Sequence, residues 1–292
     1  MESASDLRAS VVIPVRNGGE LLRVQLEALL AQDDGAFEVV VSDNGSTDHT
    51  PSIVEEYRPR FRALRLVDSG DRAGVSHARN VGAAAARSPL VLFCDADDQV
   101  DSIWVSAMVH GLRRYDLVGG LLDPVQLSDP QALTWRATPP TDQLPVAMRY
   151  LPYATGANLG VRREVFKALR GFDVTFHRGH EEVDFAWRAQ LSGFSVGFVP
   201  DAVIAYRLRA DLRSTMKQTF HYGRTYSQLF SRHRSRPIPR TPVKREIRTY
   251  GILLRQGVQA LRSGRPQGWL CTMSWTVGRL WGDLRYGVRA PL

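Results

Sequence analysis

The feature that most restricts this fold is an alternation running through residues 10–122. Short apolar runs at 10–15 (SVVIPV), 37–42 (FEVVVS), 64–67, 90–94 (LVLFC) and 117–122 are separated by stretches of helical period. The apolar runs are brief and several are rich in β-branched residues, which reads as buried strands. Between them, residues 21–32 set Leu22, Leu26, Leu29 and Leu30 on one helical face. Thr50-Pro51 opens a helix to Tyr57, with proline at the first helical position. Residues 75–86 and 102–115 complete the pattern. Strands alternating with helices predict an α/β fold with a mostly parallel central sheet flanked by helices. After residue 122 the rhythm breaks. Residues 124–152 are proline-rich and read as loop, followed by a helix at 181–192, a strand at 194–199 and a helix at 211–233. Three prolines in 234–242 (RSRPIPRTP) form a linker to two further helices, 243–262 and 267–286. The expected organisation is a body over 1–233 and a basic, helical C-terminal extension over 234–292.

Charge divides along the same line. Residues 1–206 hold 20 basic and 27 acidic side chains, whereas 207–292 hold 18 and 3. An acidic body with a basic tail predicts an anionic partner for the tail. Two cysteines, Cys94 and Cys271, exclude a disulfide framework and a zinc cluster. Residues 1–9 are polar, and no run approaches the roughly 18 apolar residues of a membrane span, so neither a signal peptide nor a spanning segment is expected. The expected location is cytoplasmic, peripheral at the inner face of a membrane.

Ligands of open parallel sheets bind at the carboxyl ends of the strands, and acidic residues collect there. The second strand runs into Asp43-Asn44-Gly45-Ser46-Thr47-Asp48 and the fourth into Asp95-Ala96-Asp97-Asp98. Such clusters repel unless a cation sits between them. Oxygen ligands at this spacing suit a hard divalent ion, Mn2+ or Mg2+. The competing readings are a tight Asn-Gly turn and plain helix capping.

These segments, with Val11–Asn17 (VVIPVRN), Ala78-Arg79-Asn80-Val81-Gly82, Gly156-Ala157-Asn158, Gly171-Phe172-Asp173 and Glu181-Glu182-Val183-Asp184, resemble the family-2 glycosyltransferases over roughly residues 9–206. The resemblance implies an inverting transferase with the nucleotide-diphospho-sugar transferase fold, moving a sugar to an acceptor hydroxyl. It places Pro14, in a loop, with Val15, Arg16 and Asn17 beside the nucleotide. Asp43 would bind the base, with a UDP-sugar favoured, and Gly45, Ser46 and Asp48 would support that pocket. Arg79 and Asn80 would open onto the donor side. Asp95 and Ala96 would face the sugar or ribose, and Asp97 with Asp95 the metal. Gly156, Ala157, Asn158 and His180 would line the side of an unknown acceptor.

An inverting displacement needs one base. Glu181, Glu182 and Asp184 start a helix whose dipole favours carboxylates. Adjacent helical residues diverge by about 100°, so Glu181 and Glu182 do not share a face. The family pair usually reads Glu-Asp with its second residue the base, which here is Glu182, one methylene longer. Asp184 and His180 are next in line. Many relatives also carry a late histidine ligand where this chain has Tyr206-Arg207. Either the metal has no nitrogen ligand, or His177, His180 or His221 supplies one. Trp104, Trp135, Trp187 and Tyr153 either stack on sugars or belong to the core.

In the tail, Trp269, Trp275 and Trp281 interleave with Leu270, Met273, Val277, Leu280 and Leu284 among arginines. That predicts either an interfacial helix on anionic lipid over 265–290 or a helix packed on the body. Two rival functions remain. A sugar nucleotidyltransferase should carry a basic glycine-rich loop after its first strand, but Arg16-Asn17-Gly18-Gly19 is short and lacks lysine. A catalytically degenerate module would bind nucleotide or polyanion without turnover. No GxGxxG follows a strand, against a dehydrogenase, and no nucleic-acid module is present, so no nucleic-acid partner is expected.

Overall fold

In the computed structural model, which describes residues 7–136 and 138–292, the alternation becomes β1 (Ala9–Val15), α1 (Gly19–Leu30), β2 (Phe37–Asp43), α2 (Thr50–Tyr57), β3 (Leu64–Asp68), α3 (Val75–Ala85), β4 (Leu90–Cys94), β5 (Gln99–Val100), α4 (Trp104–Arg114) and β6 (Leu117–Asp123). The proline-rich stretch contributes only the two-residue strands β7 (Val146–Ala147) and β8 (Leu151–Pro152). Then come β9 (Asn158–Arg162), α5 (Arg163–Ala168), α6 (Glu181–Leu191), β10 (Val196–Ala205), α7 (Leu212–His233), α8 (Val243–Arg262) and α9 (Gln267–Tyr286).

Eight strands form one sheet in the order β3-β2-β1-β4-β9-β6-β10-β5. Most neighbours are parallel; β9 runs antiparallel between β4 and β6, and β5 antiparallel to β10. Both faces are covered. Val11, Ile13, Val39 and Val41 point into one core, while Val12, Val40, Val91 and Phe93 point into the other. This period-two split is why the runs read as continuously apolar. Trp104 and Trp187 are fully buried and Trp135 nearly so, which places all three in the core.

β9 changes the expectation for residues 156–158. Asn158 opens that strand and is fully buried. Its Oδ1 accepts from Trp104 Nε1–H at 2.8 Å, and its Nδ2–H2 donates to Leu121 O and Ala202 O, both at 2.9 Å. Both ends of the amide are thus committed to joining β9, β6 and β10, at the irregularity between Val199 and Val203. Asn158 braces the sheet and has no free polar group for an acceptor. Pro14 lies within β1, not in a loop, and pairs with Ser42. The β1–β4 ladder ends at Val12, so proline falls where the strand has only β2 beside it.

Residues 234–292 fold back on the body. α9 crosses α7 through small residues: a Cβ on Gly278 would lie 2.0 Å from Phe220 O, and one on Gly223 2.0 Å from Trp275 O. Arg279, fully buried, binds Glu246 at 2.7 Å, Asp283 at 2.9 Å, Ala290 O at 2.7 Å and the Tyr250 hydroxyl. It thereby ties α8, α9 and the C-terminal residues together. Gly278→Ala should destabilise the protein by ~1–3 kcal/mol through the forced separation of α7 and α9. Gly251→Ala, with nothing within 4 Å of its added Cβ, should stabilise it by ~0.5–1 kcal/mol. Urea unfolding of both variants measures the contrast.

Candidate active site

The ends of β1 and β2 meet in two interlocked loops. Asn17 adopts a left-handed φ of 54°. Its N–H donates to Ser46 Oγ and its Oδ1 accepts from Thr47 N–H, both at 2.8 Å. Asp43 Oδ1 accepts from Ser46 N–H at 2.9 Å, which shapes the Gly45 turn. Asp48 Oδ1 takes both the hydroxyl and the N–H of Thr50, and the Thr50 hydroxyl oxygen in turn accepts from Gly18 N–H at 2.9 Å and Gly19 N–H at 3.1 Å. Asp48 therefore fixes Thr50, the first residue of α2, and through it clamps the loop after β1. The Thr50 hydroxyl is the leading cause of its carboxyl lying below the ordinary aspartate range. Val15 is buried and its carbonyl accepts from Asn44 N–H. Arg16 is exposed, and Asp43 remains half-exposed at the strand end.

Beyond β4, Asp95, Asp97 and Asp98 bring one carboxylate oxygen each within 4.8 Å of one another. Among the described residues this is the one cluster of metal-ligating type, and no histidine joins it. Asp98 goes beyond the expected pair. It is buried, its Oδ2 has no hydrogen-bond partner, and burial followed by the charges of Asp95 and Asp97 pushes its carboxyl far above the usual range. Asp97 is exposed at the turn; partial desolvation there, and then the charge of Asp95, raises its carboxyl as well. At the position of the late histidine, Arg207 holds this turn. Its N–H donates to Asp98 Oδ1 at 2.8 Å and its Nε–H to Asp97 O at 3.0 Å. Ala96 is buried beneath the turn, against the core of the α1 side.

Arg79 does not open onto the donor side; it is 3% exposed and lies between two acids. One terminal nitrogen donates to Asp95 at 2.7 Å and the other to Glu181 at 2.9 Å. A Cβ on Gly156 would lie 2.6 Å from this guanidinium, so the absence of a side chain there makes its room. Burial opposes the charge on Arg79, but Asp95 and Glu181 overcome it and hold the guanidinium protonated. Asn80 also turns away from the expected donor side. Its side chain donates to Phe172 O and accepts from Phe172 N–H, at 2.8 and 2.9 Å, fixing the Gly171-Phe172-Asp173 loop.

That loop leads to α6, entered through Gly179 at φ 108° and His180 at φ 69°. Within the helix, successive side chains diverge by about 100°. Glu181 is buried and fully engaged: Oε1 with Arg79, and Oε2 with Gly179 N–H at 3.0 Å. Glu182 makes no hydrogen bond to another residue among those described. Burial, and then the charge of Glu181, push its carboxyl up to about 8. It lies within electrostatic reach of Asp95, Tyr153 and Tyr222. Asp184 faces the other way and is fully buried among Arg188, Arg232 and His233 at 2.7, 3.2 and 2.9 Å. Burial would raise its carboxyl, but His233 and Arg188 hold it below the ordinary range. Asp184 is thus the tie between α6 and α7, with no path to a substrate hydroxyl. Ala157 is buried beside β4.

His180 Nδ1 lies 2.8 Å from Thr225 Oγ1, whose hydroxyl donates to His221 O. Thr225 therefore accepts from Nδ1–H, and the lone pair sits on Nε2. Burial pushes this imidazole down to about 4, so the ring is neutral. Tyr222 and Tyr226 meet it edge-on. Sequence reasoning did not single out Asp98 for this cluster, although it adjoins the expected pair. It also missed Arg207 and Tyr222, which no local pattern marks.

Comparison with known proteins places this geometry. A model of "Glycosyl transferase family 2" matches residues 10–170. A pre-mycofactocin glycosyltransferase of Mycobacterium tuberculosis is 27% identical over 240 residues, covering 79% of this chain and 49% of its own. An uncharacterized glycosyltransferase of Escherichia coli, YibD, is 38% identical over 93 residues, covering 32% of this chain and 27% of its own. The chain thus spans less than half the length of either relative. Among solved structures, a mannosyltransferase from Pyrobaculum calidifontis, in complex with GDP-Man and Mn2+, superposes with a TM-score of 0.64. It is 20% identical, and the match covers 94% of this chain and 87% of that one.

The Arg79 bridge makes a stability prediction. Arg79→Met should cost ~3–5 kcal/mol, because it leaves Glu181 buried without its cation. Denaturant unfolding at neutral pH measures the loss, and most of it should vanish in Arg79→Met/Glu181→Leu, where no buried charge is stranded.

Proposed function

The chain belongs to glycosyl transferase family 2, and from that premise we propose that it transfers a sugar from a nucleotide-diphosphate donor to an acceptor hydroxyl, with inversion at the anomeric carbon. The observation that carries this reading is the split between the two glutamates. Glu181 is consumed by Arg79, while Glu182 stands uncommitted with a raised proton affinity, beyond the aspartate cluster. A carboxylate in that state is matched to taking a proton from a hydroxyl as the oxygen attacks. The GDP-Man complex of the Pyrobaculum mannosyltransferase supports the donor class.

The interlocked loops after β1 and β2 present Asp43 to the base, with UDP the first nucleotide to test. The cluster beyond β4 fits a hard divalent cation, Mn2+ or Mg2+. Its donors are all carboxylate oxygens, and Asp98 Oδ2 is buried without a partner. Asp97 and Asp98, with Asp95 beside them, would hold that ion. When bound, it supplies positive charge at the departing diphosphate. Arg207 keeps the Asp97–Asp98 turn in place. Neutral His180 offers Nε2 to an acceptor hydroxyl and orients it towards Glu182, whose carboxylate takes the proton.

Glu182→Gln should lower turnover by ~10²–10⁴-fold while leaving nucleotide affinity unchanged by calorimetry. In the wild type the rate should rise with pH as Glu182 loses its proton, and Glu182→Gln should abolish that limb. Glu181→Gln should instead lower the melting temperature, since its role is to hold Arg79. Asp97→Asn should remove the Mn2+ dependence of nucleotide-diphosphate binding. A protein that binds nucleotide with Mn2+ yet shows no Glu182-dependent turnover with any acceptor would be the degenerate module instead.

A further inference from the structure

The interfacial helix expected at 265–290 is only half exposed. Trp269 donates its Nε1–H to Leu253 O, and Trp275 packs edge-on against Tyr226 at 5.3 Å. Only Trp281 of the three faces solvent, at 57% exposure. The larger unpartnered surface is on α8. Val243, Ile247, Leu254, Val258 and Leu261 recur at helical spacing and are 50–64% exposed. At about 100° per residue they form one stripe. Lys244, Arg248, Arg255 and Arg262 form a second stripe directly beside it. The side of α8 that docks on α9, with Glu246 and Gly257, lies opposite the cationic stripe.

α9 carries a matching stripe of Val277, Leu280, Trp281 and Leu284, with Leu284 82% exposed. The two helices are antiparallel: Glu246 near the start of α8 meets Arg279 late in α9, while Gly257 meets Trp269. On α8 the apolar stripe lies about 75° round from the docking face. On α9 it lies about 105° round in the same rotational sense. In antiparallel helices equal senses of rotation bring both stripes to one side of the hairpin. The result is a broad apolar face bordered by cations.

Acid is absent from this border. Beyond residue 206 the acids are Asp211, Glu246 and Asp283. Asp211 caps α7, and the other two are bound to Arg279. No helix among the described residues is long and apolar enough to cross a membrane. We propose that the α8–α9 hairpin lies flat on an anionic lipid surface, with its apolar stripes among the acyl chains and Lys244, Arg248, Arg255 and Arg262 at the headgroups. Apolar burial and cation–phosphate attraction act together in such a surface, and net positive charge along the border disfavours pairing with a second copy of the same face. The proposal is independent of the reading of the catalytic carboxylates.

Sedimentation of the full chain with vesicles tests it. In low salt the protein should pellet with vesicles of phosphatidylglycerol and phosphatidylcholine, and at least ~10-fold less with phosphatidylcholine alone. Added salt should weaken the binding. Ile247→Glu/Leu254→Glu, at sites 64% exposed and so without cost to the fold, should abolish pelleting while circular dichroism and melting stay as in wild type. Arg248→Gln/Arg255→Gln should lose the preference for the anionic vesicles. Failure of the wild type to pellet, or pelleting that survives the double glutamate variant, overturns the proposal. So does a wild-type dimer in analytical ultracentrifugation that the same variant dissociates, since a second copy would then cover the face.

Discussion

One buried guanidinium organises this molecule. Arg79 reaches the end of β4 through Asp95 and the start of α6 through Glu181, a polar tie between residues 86 apart in sequence, beside the cluster in which Phe93 and Phe185 already share a core. A buried cation is tolerated only when its hydrogen bonds and counter-charges are supplied together. Here Asp95 and Glu181 supply both, and glycine at 156 leaves the space. Its Nε has no partner, the one polar atom of the side chain left out of the arrangement. In the proposed reaction the bridge bears on the chemistry as well as the fold. By consuming Glu181 it leaves Glu182 as the free acid of the pair.

The same region concentrates negative charge. Asp95, Asp97 and Asp98 crowd each other, and Glu181 and Glu182 are adjacent. The protein offsets one acid of each group through Arg79 and leaves the others with raised proton affinity. Such unrelieved charge is costly in a structural region and informative in a cleft. Where acids are needed for structure alone they are neutralised outright: Asp184 by Arg188, Arg232 and His233, and Glu38 by Arg65 together with Ser10.

The sheet was legible because its period is local. Runs such as LVLFC are short, apolar and bounded, and burial on both faces leaves them no polar alternation. β9 was not legible, since NLGVR adjoins the Gly156-Ala157-Asn158 motif and its pairing with β4 and β6 is long-range. The same limit explains the site. Carboxylates at strand ends announce themselves by position, so Asp43, Asp95 and Asp97 could be singled out as candidates from the sequence alone. Direction is not local, so Arg79 and Asn80 read as open to the donor when they bind Asp95, Glu181 and Phe172. Asp48 shows the same limit: it lies two residues before a helix start, and one of its carboxylate oxygens is taken by the N–H and hydroxyl of Thr50. In the tail, tryptophan content pointed to α9, but helix contacts half-bury two of its three indoles and leave the apolar stripe of α8 exposed.

In the proposed reaction a single base, Glu182, promotes direct displacement at the anomeric carbon, with Glu181 withheld by Arg79. The stereochemistry of the product tests it most directly. Proton NMR of the first product formed, before any mutarotation, reports the anomeric coupling constant against that of the donor. Displacement assisted by Glu182 alone should give an inverted configuration. A retained configuration would require a second displacement, by a nucleophile that this arrangement of carboxylates does not provide, and would contradict it.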